Sequence, residues 1–213
     1  MRTIEETAVM LRTLQEVYGE VLPFLNHETS FQLLVAVILS AQTTDILVNK
    51  VTPALFEKYP DAASLKNASV EDVSLLVGRI NYFRTKARNL VAMAKLIDEQ
   101  FGGEVPQTIE ELILLPGVGR KVANVIVADV YKKALGVVVD THIKRVSYRV
   151  GWTDHEDPKR VELDLMQQWP IDHWVGTPKQ VILIGRQYCF ANKRPDCEHC
   201  PLREWCWKRL SGE

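Results

Sequence analysis

Leu115-Pro116-Gly117-Val118-Gly119-Arg120-Lys121 is the stretch around which this 213-residue chain organises itself. Behind the proline, Gly117 and Gly119 permit a tight hairpin, because glycine accepts positive φ and lets a second backbone approach closely. A helical pattern follows, with Val122, Val125, Ile126, Ala128 and Val130 recurring between Val118 and Lys133. The amide N–H groups opening such a helix, together with its dipole, form an anion site suited to one DNA phosphate. A contact of that type reads backbone and not base sequence. Gly117, Gly119 and Arg120 are therefore candidate DNA contacts. The same residues would also serve a plain helix–turn–helix corner.

Lys121 falls in the first turn of that helix, and Asp140 follows nineteen residues later in Val139-Asp140-Thr141-His142. An amine and a carboxylate sharing one cleft with a phosphate site suit attack on a sugar carbon. An ordinary lysine is only ~0.04% free amine at pH 7. Lowering its pKa by ~3 units would raise that population several hundredfold, at ~4 kcal/mol against the charged form. A helix N-terminus supplies only ~0.3–1 kcal/mol of this, so desolvation and Arg120 would have to supply the remainder. Asp140 precedes a second helical pattern (Ile143, Val146, Val150), which also makes it an N-cap. Capping leaves it able to assist proton transfer or to stabilise positive charge at a sugar carbon. His142 is assigned no chemistry.

The rest of the chain reads as helix. Thr29-x-x-Gln32, Ser69-x-x-Asp72 and Thr108-x-x-Glu111 are capping-box patterns or close relatives, each opening an apolar run. Phe31 to Ala41 is apolar nearly all round and predicts a central buried helix. Asp157-Pro158 is a further start signal, with proline at the first helical position. Gly136-Val137-Val138-Val139 is the only β-branched run, and it fits an extended link between helices better than a sheet. The fold class is all-α.

The apolar fraction of 46% is that of a globular protein. No run reaches bilayer-spanning length; the longest, Leu33 to Leu39, is that of a core helix. The first twenty residues hold four glutamates and lack the basic start and apolar middle of a signal peptide. These features predict a soluble intracellular protein. The net charge of −1 does not favour nucleic acid, but it is unevenly spread. Residues 79–89 contain Arg79, Arg84, Lys86 and Arg88 with no acid. Residues 119–149 contain Arg120, Lys121, Lys132, Lys133, Lys144, Arg145 and Arg149 against Asp129 and Asp140. A local basic face of this kind can bind phosphates, with Lys144 and Arg145 among the candidates; a solvated helix face is the alternative.

All four cysteines lie close together, as Cys189, Cys197, Cys200 and Cys206 with spacings x7, x2 and x5. Four such thiols point to a metal ion or an iron–sulfur cluster. Disulfides are the other use of clustered cysteines, and an intracellular chain disfavours them. Structural zinc sites usually show two close pairs, and here only Cys197 and Cys200 form one; spacing alone leaves zinc and iron–sulfur both open. Lys193, Arg194, Arg203, Lys208 and Arg209 surround the segment, so it could also meet phosphate.

Taken in order, these segments resemble the endonuclease III family of helix–hairpin–helix DNA glycosylases and abasic lyases. The similarity is carried by Phe31 to Asp45, Asn49-Lys50, Gly103 to Pro106, Leu115 to Asn124, Val139 to Ile143 and the cysteine segment. The resemblance implies a six-helix barrel over residues 23–134, and a second helical domain from residues 1–22 and 135–213 carrying a 4Fe-4S cluster on the four cysteines. A cleft between the two would hold Lys121 and Asp140. Lys121 would attack C1′ of the damaged nucleotide, expel the base and form a Schiff base, after which β-elimination cuts the strand; Asp140 would assist. The substrate would be an oxidised pyrimidine or an abasic site in double-stranded DNA, handled by a monomer away from membranes, in the cytoplasm and on the nucleoid of a prokaryotic-type cell. The damaged nucleotide must leave the stack, so protein must fill the gap. Gln42 and the Ile80-Asn81-Tyr82 loop match the gap-filling positions.

Three departures from the family pattern stand out. The first cysteine gap is x7 where x6 is usual, Asn81-Tyr82-Phe83 stands where Gly-Leu-Tyr is common, and Ile184 replaces a histidine often found before Gly185-Arg186. Within the superfamily, adenine-specific mismatch glycosylases typically lack a lysine at position 121 and carry a glutamate where this chain has Leu39-Ser40-Ala41-Gln42. In thymine or uracil mismatch enzymes a tyrosine often replaces that lysine. A non-catalytic DNA-binding module with a structural metal would need the hairpin and the cysteines, but not Lys121 and Asp140 together.

Overall fold

The computed structural model describes residues 1–207, which are helical with no strand among them. Lys208 and Arg209, named above beside the cysteines, lie outside the described residues. The chain divides into two compact units: Pro23–Tyr131, and Met1–Leu22 joined with the chain from Lys132 onward.

In the Pro23–Tyr131 unit the central element is α2 (Ser30–Ser40), with every side chain from Phe31 to Leu39 buried. Burial of a Leu, Ile or Phe side chain contributes roughly 1.5–3 kcal/mol, so an all-apolar helix is stable only when surrounded. Helices α3 (Asp45–Lys58), α6 (Phe83–Phe101) and α8 (Arg120–Asp129) pack on it, while α4 (Ala62–Leu65) and α5 (Val70–Leu76) pack on α6 and α7 (Ile109–Leu112) on α8, all contributing to the same core. Helix α6 turns Ala87, Leu90, Met93, Ala94 and Ile97 inward, at helical spacing. The capping patterns act locally: Thr29, Ser69 and Thr108 each accept from the amide three residues on. Thr29 and Gln32 do not form the reciprocal box, however, because Gln32 Oε1 accepts from Glu28 N at 2.8 Å.

The second unit brings together α1 (Ile4–Tyr18), α9 (Thr141–Val150), α10 (Pro158–Gln168) and α11 (His173–Gln187), with a 3-10 turn at Arg203–Trp205. Both α1 and α9 pack on α11. The core includes Trp152 and Trp169, edge to face with centroids 5.2 Å apart. Pro158 opens α10 behind the Asp157 cap, and 137–140, in neither helix nor strand, links into α9 with Asp140 itself extended. Arg2 explains why the first residues belong here: its Nε donates to Val150 O at 2.9 Å and its guanidinium lies 5.2 Å from the Trp207 ring centroid. Among the described residues no helix is long and apolar enough to cross a membrane.

Candidate functional site

The hairpin closes with Val118 N donating to Leu115 O at 3.0 Å, and Leu115 and Val118 anchor it in the core. Gly117 has φ +84, and a Cβ there would lie 3.1 Å from Asn89 Nδ2 on α6 and 3.5 Å from Ile38 on α2. Both conformation and space therefore require glycine. Gly119 differs. It is the N-cap of α8 in extended conformation (φ −95), makes no side-chain cap, and a Cβ there would face open space. Nothing among the described residues excludes a side chain at 119, while a phosphate approaching the first amides of α8 would. Arg120 and Lys121 occupy the first two helical positions and are exposed, opposite the buried Ala123, Asn124, Ile126 and Val127.

A second feature of the same unit is a pair of exposed side chains on strained backbone. Gln42 (φ +55), just after α2, and Tyr82 (φ +58), the N-cap of α6, are two of three non-glycine positive-φ residues among those described. Asn81 Nδ2 donates to Gln42 O at 2.6 Å and joins the two loops. Ile80, expected beside them on the DNA surface, is 2% exposed and belongs to the core, so the outward residues of that loop are Asn81 and Tyr82.

The basic stretch 79–89 is likewise not all surface. Lys86 is buried, and its ammonium donates to Leu39 O (2.8 Å), Ala41 O (2.6 Å) and Thr43 Oγ1 (3.4 Å). Burial pushes its pKa below the ordinary lysine value. Reading charge along the sequence missed this. The signal available was register, since Lys86 falls on the inward stripe of Leu90, Met93 and Ile97.

In the other unit, Asp140 caps α9, with Oδ1 accepting from Ile143 N at 2.7 Å. His142 is half-buried against Gly185, and Arg145 Nη2 lies 3.1 Å from its Nδ1. Burial holds the His142 pKa below its ordinary value; Asp140 opposes the shift while Arg145 and Arg186 add to it. Arg145 also donates to Gly185 O (3.0 Å) and Cys189 O (2.8 Å), which commits it to tying α9 to α11 and the cysteine segment instead of to phosphate. Lys144 is half-buried on α9.

The four cysteines line one cavity of about 620 Å³, with Val146, Arg149, Val150, Ile184 and Tyr188. Ile184 thus sits on the cavity wall. Arg149 Nη1 donates to Cys189 Sγ at 3.2 Å, and Cys206 Sγ donates to Arg149 O at 3.4 Å. The Cys197–Cys200 turn is braced by Asp196, which accepts from His199 N at 3.3 Å. Burial pushes the Cys200 thiol up to about 11, and Cys189, Cys206 and Cys197 add to this against a backbone hydrogen bond from Leu202. A positively charged inorganic core is what would offset four thiolates so close together. Among the described residues, no three ligating side chains converge on a single ion-sized point.

Residues 35–171 match the model of the HhH-GPD superfamily of base excision DNA repair proteins. The chain is 46% identical over 197 residues to endonuclease III of Synechocystis sp., covering 92% of this chain and 90% of that protein. It is 42% identical to endonuclease III of Bacillus subtilis, over 85% of this chain and 83% of the other. The chain belongs to the endonuclease III family. A solved structure of a trapped endonuclease III–DNA covalent intermediate, 37% identical, superposes with a TM-score of 0.91 over 100% of this chain and 99% of that one. A thermostable thymine-DNA glycosylase, 20% identical with a TM-score of 0.85, shares the fold. Residues 115–121 lie inside the matched span of 35–171.

Proposed function

We infer that the chain is a bifunctional base-excision enzyme. It removes oxidised pyrimidines from duplex DNA as a glycosylase and then cleaves the strand at the abasic site as a lyase. The observation that carries this is the adjacency of an exposed amine, Lys121, to a helix N-terminus that Gly119 leaves open. One α8 turn thereby offers a phosphate anchor and a nucleophile one residue beyond Arg120. The kinship with endonuclease III, including a relative trapped covalently on DNA, supports the amine chemistry.

In this reading the free amine of Lys121 attacks C1′, the C1′–N bond breaks, and the base leaves with the electron pair. Loss of the amine proton and opening of the sugar ring give an imine. Removal of a C2′ proton then expels the 3′ phosphate by β-elimination. Because Lys121 is exposed, its desolvation comes from the bound duplex and not from the protein core. Asp140 contributes a carboxylate that stabilises positive charge at C1′ or relays a proton. Gln42 and Tyr82 fill the space of the extruded nucleotide, while Gly117, Gly119, Arg120 and Lys144 serve the backbone. Work on chromosomal duplex in the cytoplasm of a prokaryotic-type cell follows from the same reading.

Cys189, Cys197, Cys200 and Cys206 would hold a 4Fe-4S cluster. All four line one cavity, and Arg149 supplies a donor to Cys189 Sγ, the kind of hydrogen bond that tunes such clusters. When bound, the cluster supplies a redox-capable core that cross-links the segment.

The test is Lys121→Ala. It should lose strand cleavage on a thymine glycol duplex and on an abasic duplex while keeping duplex affinity within about threefold, since one surface charge contributes little to total binding. Retained cleavage would refute the reading.

A further inference from the structure

The two exposed positive-φ residues, Gln42 and Tyr82, are held by bonds that the chemistry above does not use. Left-handed backbone is unfavourable for a residue other than glycine, and asparagine, the usual exception, occupies neither position. Gln42 and Tyr82 are both exposed, so no packing of their own side chains explains the conformation. The surrounding bonds do. The last carbonyls of α2 have no helical partners, and the last turn of α2 carries no basic residue. Lys86 supplies the cation from α6, donating to Leu39 O and Ala41 O on one side of Gln42 and to Thr43 Oγ1 on the other. Its backbone N–H donates to Tyr82 O at 3.0 Å. One residue is thus bonded to both loops. Asn81 closes the circuit through Gln42 O.

We propose that Asn81 and Lys86 are positioning residues for nucleotide extrusion: they lock the Gln42 and Tyr82 loops into a preformed pair of prongs. This deepens the function proposed above and rests on it. Two loops that had to be ordered while the nucleotide leaves the stack would add their ordering cost to the extrusion barrier. Loops already tied together add little. Lys86 is too buried to meet DNA, and Asn81 Nδ2 is engaged by Gln42, so both act through their neighbours.

The experiment compares wild type, Asn81→Ala and Lys86→Met on two substrates. One is a thymine glycol duplex with 2-aminopurine beside the lesion, read for single-turnover excision and for the fluorescence rise on unstacking. The other is a single-stranded abasic oligonucleotide, which has no stack to enter, read by borohydride trapping. Asn81→Ala should slow excision and the fluorescence rise together by about fivefold, one hydrogen bond's effect, with single-strand trapping within about twofold of wild type. Lys86→Met, leaving two backbone carbonyls unpaired, should slow them by more than about tenfold. Should Lys86→Met fail to fold by circular dichroism, exposed Asn81→Ala decides alone. Wild-type excision and fluorescence in Asn81→Ala, or an equal loss on the single strand, overturns the positioning role. Wild type inactive on both substrates overturns the function beneath it.

Discussion

Asp140 Oδ1 accepts a 2.7 Å hydrogen bond from Ile143 N, so the carboxylate proposed for catalysis is also the N-cap of α9. The two roles need different properties of the same group. Capping needs an acceptor oxygen, which an amide also provides, whereas stabilising positive charge at a sugar carbon needs the negative charge.

Asparagine therefore separates them. Asp140→Asn should unfold within about 0.5 kcal/mol of wild type, because Asn caps as well as Asp, while Asp140→Ala should lose about 1 kcal/mol. Both should lose base excision to a similar extent. Urea unfolding beside single-turnover excision checks this; an Asp140→Asn variant with full activity would leave Asp140 only its cap.

Gly117 and Gly119 should fail in different assays. Gly117→Ala meets both φ +84 and Asn89 Nδ2 at 3.1 Å, and should destabilise the protein by about 1–2 kcal/mol or more. Gly119→Ala meets open space at φ −95, and should leave thermal stability nearly unchanged. Its methyl should instead weaken duplex affinity by about tenfold, one charge-assisted phosphate bond. A Gly119→Ala variant with wild-type affinity would remove the phosphate site from α8.

His142 predicts a pH dependence of stability. Its folded pKa lies below the ordinary 6.5, chiefly through burial. The unfolded chain then binds the proton more readily, so the contribution of His142 is fully present above pH ~6.5 and is lost as pH falls through that value toward the folded pKa. His142→Gln should flatten the stability profile between pH ~7.5 and ~5 relative to wild type. Parallel profiles from urea melts would contradict the assignment.

Loss of the proposed cluster should be local. Removing iron by oxidation and chelation, or Cys200→Ser, should bleach visible absorption and raise amide hydrogen exchange across 189–207. The α2 amides of the separate Pro23–Tyr131 unit should stay protected. Exchange rising equally in α2 would mean that the cysteine segment supports the whole molecule.

What could be read from the residues alone follows the range of the forces involved. Thr29, Ser69, Thr108, Asp140 and Asp157 are all caps as expected, because a cap is decided within four residues. The buried run of α2 was equally legible, since only burial suits the seven consecutive apolar side chains of Leu33 to Leu39. The burial of Lys86 was legible only in its register, and its partners, like those of Arg145, were not. Whether a cation meets solvent or a carbonyl from another helix depends on distant partners: Lys86 bonds residues more than forty positions away and Arg145 reaches Gly185 and Cys189. The Asn81–Gln42 bond was hidden for the same reason, as it joins loops thirty-nine residues apart.

The most direct measurement is borohydride trapping on a thymine glycol duplex, with an abasic duplex as control, followed by mass mapping of the cross-linked peptide. A covalent adduct on Lys121 with both substrates is the predicted result. No adduct on either duplex, or an adduct on a different amine, would contradict the account.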